Sequence, residues 1–145
     1  TQSIAIVGSS PTTRHLNLSF TDYPDLLPTM AVACAALGIN AKLRGISNLR
    51  LKESDRIESV CEELRRMNGI VEADDDTLHI LPSQLRPTEA VQAHGDHRIA
   101  MAFAPLRLMF PDLKIANPDV VSKSFPTFWE EMEKVVQSHI KRQRQ

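Results

Sequence analysis

Apolar positions along this chain change their period several times, and each change marks an element. Residues 3–7 and 16–20 are short apolar stretches that read as strands, joined by the turn-forming run 8–13. Residues 27–37 are Ala-rich and almost uncharged, which predicts a buried helix stopped by Gly38. Residues 41–46 alternate and predict a strand. Ile57, Val60, Cys61, Leu64 and Met67 recur at helical spacing, with Gly69 closing that helix. Residues 70–73 and 77–81 flank Asp74-Asp75-Asp76 and predict a hairpin with an acidic turn. An apolar helix is expected over 99–109, ended before Pro111, then a strand over 113–116. The last helix is expected over 128–136, with Pro126 near its first turn, followed by a polar tail from His139 that frays. Strands and helices interleaved in this way define a mixed α/β fold.

The elements repeat. A shift of 71 residues lays Asp25 on Asp96, Met30 on Met101 and Lys52 on Lys123, and Ala31, Ala33, Leu37 and Glu62 also meet identical residues. Both copies run acidic residue, apolar helix, strand, loop, lysine, second helix, so the chain reads as two copies of one supersecondary unit. The divisions expected are residues 1–20 as the tail of a preceding unit, 21–91 as a complete unit and 92–145 as a final, incomplete one, all within a single domain. A fold divided like this exposes unpaired sheet edges.

Composition narrows the function. The 145 residues carry a formal net charge of −1, so no bulk positive charge recommends a nucleic-acid partner. Cys34 and Cys61 fall inside predicted helices and read as reduced, buried thiols. No apolar run reaches membrane length, and no signal peptide is evident. The chain opens on Thr1 and reads as part of a longer protein.

Charge is placed more tellingly than it is counted. Lys52-Glu53-Ser54-Asp55-Arg56, Asp96-His97-Arg98 and Lys123-Ser124-Phe125-Pro126 each precede or open a predicted helix. Helix N-termini carry partial positive charge, so Lys and Arg there are ordinarily unfavourable. Brought together, such starts make a site for phosphate and carboxylate groups. The plain alternative is a scatter of surface charges.

These motifs resemble the C-terminal signatures of the 5-enolpyruvylshikimate-3-phosphate (EPSP) synthase family. The resemblance rests on residues 48–56 (Asn-Leu-Arg-Leu-Lys-Glu-Ser-Asp-Arg), 96–102 (Asp-His-Arg-Ile-Ala-Met-Ala) and 123–126, with Tyr23-Pro24-Asp25 ahead of the first apolar helix. It implies repeated βαβαββ units of the enolpyruvyl transferase fold, here part of one of two domains. It implies transfer of the enolpyruvyl group of phosphoenolpyruvate to the 5-hydroxyl of shikimate 3-phosphate, with release of phosphate. On that likeness Asp25 accepts the hydroxyl proton, and Glu53 gives a proton to the methylene carbon and later recovers one. Asn48 and Lys52 hold shikimate 3-phosphate; Arg56, Arg98 and Lys123 hold the carboxylate and phosphate of phosphoenolpyruvate. No cofactor or metal is implied. The N-terminal domain of the same chain is the implied partner, in a monomeric, cytoplasmic enzyme, and the 145 residues alone are expected to be inactive.

Each residue also has a plainer role. Asp25 and Asp96 suit helix N-caps, and for Asp96 the cap is the preferred reading. Glu53 could serve only as a surface ion-pair partner of Lys52 or Arg56. Arg50 and Asp55 are expected to support the site or pair with neighbours. His97 is given no chemical role, and His79 and His94 lack a ligand partner at useful spacing. Met101, Met109, Phe103 and Trp129 read as core, and Glu130, Glu131 and Glu133 as a solvated helix face. Two other functions stay open: a sibling transferase acting on a nucleotide sugar, and a non-catalytic phosphate-binding fragment.

Overall fold

The computed structural model describes residues 12–144, so the strand expected over 3–7 and most of its link lie outside the described residues. A four-stranded sheet is built from β1 (His15–Ser19), β2 (Asn40–Arg44), β3 (Ile70–Ala73) and β4 (Thr77–Leu81), in the order β1-β2-β4-β3. β1 and β2 are parallel, and the other two pairings are antiparallel. The β1–β2 crossover carries helix α1 (Leu27–Ala36), and β2 leads through a 3-10 turn (Ser47–Leu51) into α2 (Arg56–Arg66). A second, short parallel sheet pairs β5 (Val91–Gln92) with β6 (Ile115–Ala116). Between these strands lie α3 (His97–Phe103) and a 3-10 turn (Ala104–Leu108); after them come a 3-10 turn (Pro118–Val121) and α4 (Phe128–Gln143). Strand, helix, strand, 3-10 turn, helix therefore occurs twice in the same order.

Alternation places Ala41 and Leu43 of β2, and Leu78 and Ile80 of β4, on the buried face. Leu27, Ala31, Ile57, Val60, Cys61 and Leu64 of α1 and α2 close over them in one core. Helix ends follow local chemistry. Gly38, with φ +63°, terminates α1: the Ile39 amide donates to the Cys34 carbonyl at 2.9 Å and the Gly38 amide to Ala35 at 3.3 Å. At the end of α2 the left-handed residue is Asn68, not the expected Gly69. Gly69 is needed for another reason. Its amide meets the Leu64 carbonyl at 2.7 Å, and a Cβ at Gly69 would stand at that same distance from the oxygen.

Other expectations are corrected. The helix expected over 99–109 tightens to 3-10 from Ala104, because Pro105 has no N–H to continue the α ladder. Met109 consequently leaves the core and is half exposed. The strand expected over 113–116 shortens to Ile115–Ala116. The tail from His139 does not fray at once. α4 continues to Gln143, because Ile140 extends the Met132–Val136 stripe onto the same small cluster. Pro126 lies just ahead of the Thr127 cap, near the first turn as expected. Glu133 is not simply solvated; it pairs with Arg107 at 2.9 Å.

Both cysteines are buried and free, as expected. Burial pushes the Cys61 thiol up to about 11 and raises Cys34 as well. The thiolate is the reactive form, so the native chain at pH 8 should alkylate far more slowly than the urea-unfolded chain. Equal rates of iodoacetamide labelling in the two states would contradict this burial.

Candidate active site

The loops feeding α2 and α3 are fastened by acids. Asp55 caps α2, accepting the Glu58 amide at 3.0 Å, and also binds Arg50 at 3.2 Å. Arg50 in turn donates to the Asp74 carbonyl at 2.9 Å. Asp76, from the acidic hairpin turn, accepts the amides of Gly45, Ile46 and Ser47 at 3.0–3.3 Å. That turn is therefore structural, and it positions the 3-10 segment carrying Asn48. Asp96 caps α3 through the Arg98 amide at 2.9 Å.

Arg56, the first residue of α2, is the hub. Its side chain is only 2% exposed, yet it meets carboxylates from three parts of the fold. Nη1 donates to Asp25 at 2.7 Å, Nη2 to Glu53 at 2.6 Å, and Nε to Asp96 at 2.8 Å. Asp25 also pairs with Arg98 at 3.0 Å. Burial alone would lower the Arg56 pKa, but the Asp96, Glu53 and Asp25 carboxylates reverse that and raise it. Burial likewise pushes the Asp96 carboxyl up. Hydrogen bonds from Arg56, the Arg98 amide and Ser54 outweigh it and hold the group below the ordinary carboxylate range.

The bonded cluster thus unites Asp25, Glu53, Arg56 and Arg98, which the sequence nominated, with Asp96 and Ser54, which it did not. Arg56 and Arg98 are not bare cations at helix starts. Three carboxylates face two guanidiniums, so Arg56 and Arg98 arrive already compensated. Nor are the N-termini of α2 and α3 free for anions, since Asp55 and Asp96 cap them. Asn48, Lys52 and Lys123 are exposed and make no side-chain hydrogen bond or ion pair with this cluster among the described residues. Lys123 does not open a helix; it precedes the α4 cap by four residues. Lys52 and Lys123 nonetheless hold matching stations, each just beyond a 3-10 turn. One signal for Asp96 was present in the repeat. Asp25 and Asp96, superposed by the 71-residue shift, converge on the same guanidinium.

A second charged knot clasps α2 to the segment before α3. Glu63 is 1% exposed and accepts from Arg66 at 3.1 Å, the Gln92 amide at 3.0 Å and His94 Nε2 at 2.8 Å. His94 therefore does have carboxylate partners, since Glu62 also lies within 4.8 Å of its ligand atoms. Glu63 already serves three donors, which makes this an ion-pair knot. Replacing Glu63 with Ala strands the Gln92 amide and should cost about 1–3 kcal/mol, more than a surface charge change does. Urea unfolding of the 145-residue chain measures this, and an unchanged midpoint would contradict the assignment. A groove of about 610 Å3 lies elsewhere, between residues 87–90 and 109–114, and shares no residue with the Arg56 cluster.

Two partly exposed carboxylates share one buried guanidinium on this α/β scaffold, with a second guanidinium beside them, an arrangement whose chemistry suits proton transfer next to a bound anion. Comparison with known proteins identifies the family. The family model for EPSP synthase (3-phosphoshikimate 1-carboxyvinyltransferase) matches residues 2–132. A relative named 3-phosphoshikimate 1-carboxyvinyltransferase, from Syntrophobacter fumaroxidans, is 39% identical over 130 residues, covering 89% of this chain and 31% of its own length. One of the same name from Methanoculleus marisnigri is 40% identical over 117 residues, covering 81% and 28%. The structure of EPSP synthase from Acinetobacter baumannii superposes with a TM-score of 0.62 at 28% identity, over 74% of this chain and 26% of that one. The chain belongs to the EPSP synthase family. It spans less than a third of the length of the curated relatives named here. Among the described residues, no helix is long and apolar enough to cross a membrane.

Proposed function

We propose that the longer protein carrying this segment transfers the enolpyruvyl group of phosphoenolpyruvate to the 5-hydroxyl of shikimate 3-phosphate. The observation that carries the reading is the meeting of Asp25 and Glu53 on Arg56. In the forward step the hydroxyl oxygen bonds carbon 2 of phosphoenolpyruvate, Asp25 takes the hydroxyl proton, and Glu53 protonates the methylene carbon to a methyl group. In the second step Glu53 recovers a proton from that methyl group, the double bond reforms, and the carbon–oxygen bond to phosphate breaks. Both carboxylates are partly exposed, with side chains 41% and 52% accessible, so substrate atoms can reach them. Arg98, Arg56 and Lys123 bind the carboxylate and phosphate of phosphoenolpyruvate, and Asn48 and Lys52 bind shikimate 3-phosphate. Arginine suits these groups because its guanidinium meets forked anions bidentately. For Arg56 to take such an anion, Asp25 or Glu53 must move off it.

Residues 21–91 form one repeat unit and 92–145 an unfinished one, following a remnant in 1–20. The open groove beside β5 and β6 suits strands supplied from elsewhere in the longer chain, which is a monomeric, cytoplasmic enzyme with a second domain. The 145 residues alone bind the substrates weakly and do not turn over, since among the described residues nothing closes over the site to exclude water. Phosphate release by the complete chain tests the reading. It should require phosphoenolpyruvate and shikimate 3-phosphate together and should fail with a nucleotide sugar as acceptor. Release with the nucleotide sugar instead would favour the sibling transferase.

A further inference from the structure

We propose that Asp96 is a positioning residue for the reaction, fixing the Arg56 guanidinium so that its outer N–H groups present Asp25 and Glu53 to the substrates. The inference rests on the proton-transfer roles proposed above for those two carboxylates. Asp96 is completely buried. It grips Arg56 side-on, Oδ2 accepting from Nε at 2.8 Å and Oδ1 from Nη2 at 3.4 Å, which sets both the position and the rotation of the group. The carboxylate is itself held, by Ser54 Oγ at 3.0 Å and by the Arg98 amide at 2.9 Å. One side chain thus ties the segment before α2 to the start of α3. What remains of the guanidinium points outward, and there Nη1 meets Asp25 and Nη2 meets Glu53.

A capping role alone does not explain this residue. Ser or Asn would cap α3 equally well and without a charge. Burying a carboxylate is costly unless it is paired and hydrogen-bonded, and here every partner leads towards the site. If Arg56 tilts, both proton-moving carboxylates move with it.

The test uses Asp96→Asn and Asp96→Ser in the complete chain. Both keep an acceptor for the Arg98 amide, but neither keeps the charged two-point grip. The expected result is a fall in kcat of about 10²-fold for each, as a misplacement near 1 Å produces, with KM for shikimate 3-phosphate, which Asn48 and Lys52 bind, changed far less. Nitrogen-15 NMR should show the Arg56 Nε–H protected from exchange in the parent and released in both variants, while the Arg98 amide stays protected. Ser54→Ala leaves the charge in place, removes one hydrogen bond from Asp96, and should cost roughly fivefold in kcat. If the Asp96 variants do not fold, a parental kcat in Ser54→Ala overturns the proposal. So does near-parental kcat in the Asp96 variants with the Arg56 Nε–H still protected. If the parent shows no enolpyruvyl transfer, the proposed function fails, and Nε–H exchange still decides whether Asp96 positions Arg56.

Discussion

Replacing Arg56 with Ala should be the most destructive single change in this chain. The side chain is buried against Asp96, which is also fully buried. Removing the guanidinium strands that carboxylate without its cation. Breaking a buried pair from one side costs about 3–5 kcal/mol, out of roughly 5–15 kcal/mol for a whole domain. Asp25 and Glu53 contribute little to this loss, because both are exposed enough to recover water. The same substitution also releases the two carboxylates that the proposed chemistry needs, so turnover should vanish even where the protein still folds. Removing Asp96 as well separates the two effects. The Arg56→Ala, Asp96→Ala pair should regain a good part of the lost stability, since no buried charge is left, and regain no turnover. Denaturant unfolding of the single and double variants checks this. Equal stability of Arg56→Ala and the parent would contradict a buried hub.

Glu53→Gln should leave the fold intact and remove most of the activity. Glu53 is half exposed at the end of a loop, and only its bond to Arg56 depends on charge. Glutamine keeps the shape and can still accept from Nη2 through its amide oxygen, but it cannot give and recover a proton. In the complete chain kcat should drop by about 10²–10⁴-fold, the usual cost of losing a general acid–base group. KM should move little, because the proton is transferred chiefly in the transition state. A variant that turned over normally would return Glu53 to the status of an ion-pair partner.

The contrast between these residues shows what the sequence disclosed. The hairpin of β3 and β4 was legible to the residue, since β4 alternates, two β-branched apolar residues open β3, and three aspartates separate the strands. The end of α1 was legible because Gly38 supplies the left-handed turn that helix termination needs. β5 was not, since Val91–Gln92 is too short to show any period and exists only because β6 pairs with it. The α-to-3-10 change at Ala104 had a local cause in Pro105, but an unbroken apolar pattern masked it. At the site, local signals named the charged residues and misjudged their state. Neighbours in sequence offer Arg56 a single partner, Glu53. Its other partners, Asp25 and Asp96, lie 31 and 40 residues away and reach it only through the packing of α2 against α1 and α3. Asp96 reads as a cap because capping is a local pattern, whereas its grip on Arg56 is a long-range one.

The most direct test of the account follows the proton assigned to Glu53. The complete chain is run with phosphoenolpyruvate and shikimate 3-phosphate in deuterium oxide, and the vinyl position of the product is analysed by mass spectrometry. If Glu53 adds a proton to the methylene carbon and then removes one from the resulting methyl group, deuterium appears at that carbon in the parent and is lost, together with turnover, in Glu53→Gln. A product free of vinyl deuterium, or equal incorporation in the parent and the Glu53→Gln variant, would contradict the assignment of proton transfer to the carboxylates gathered on Arg56.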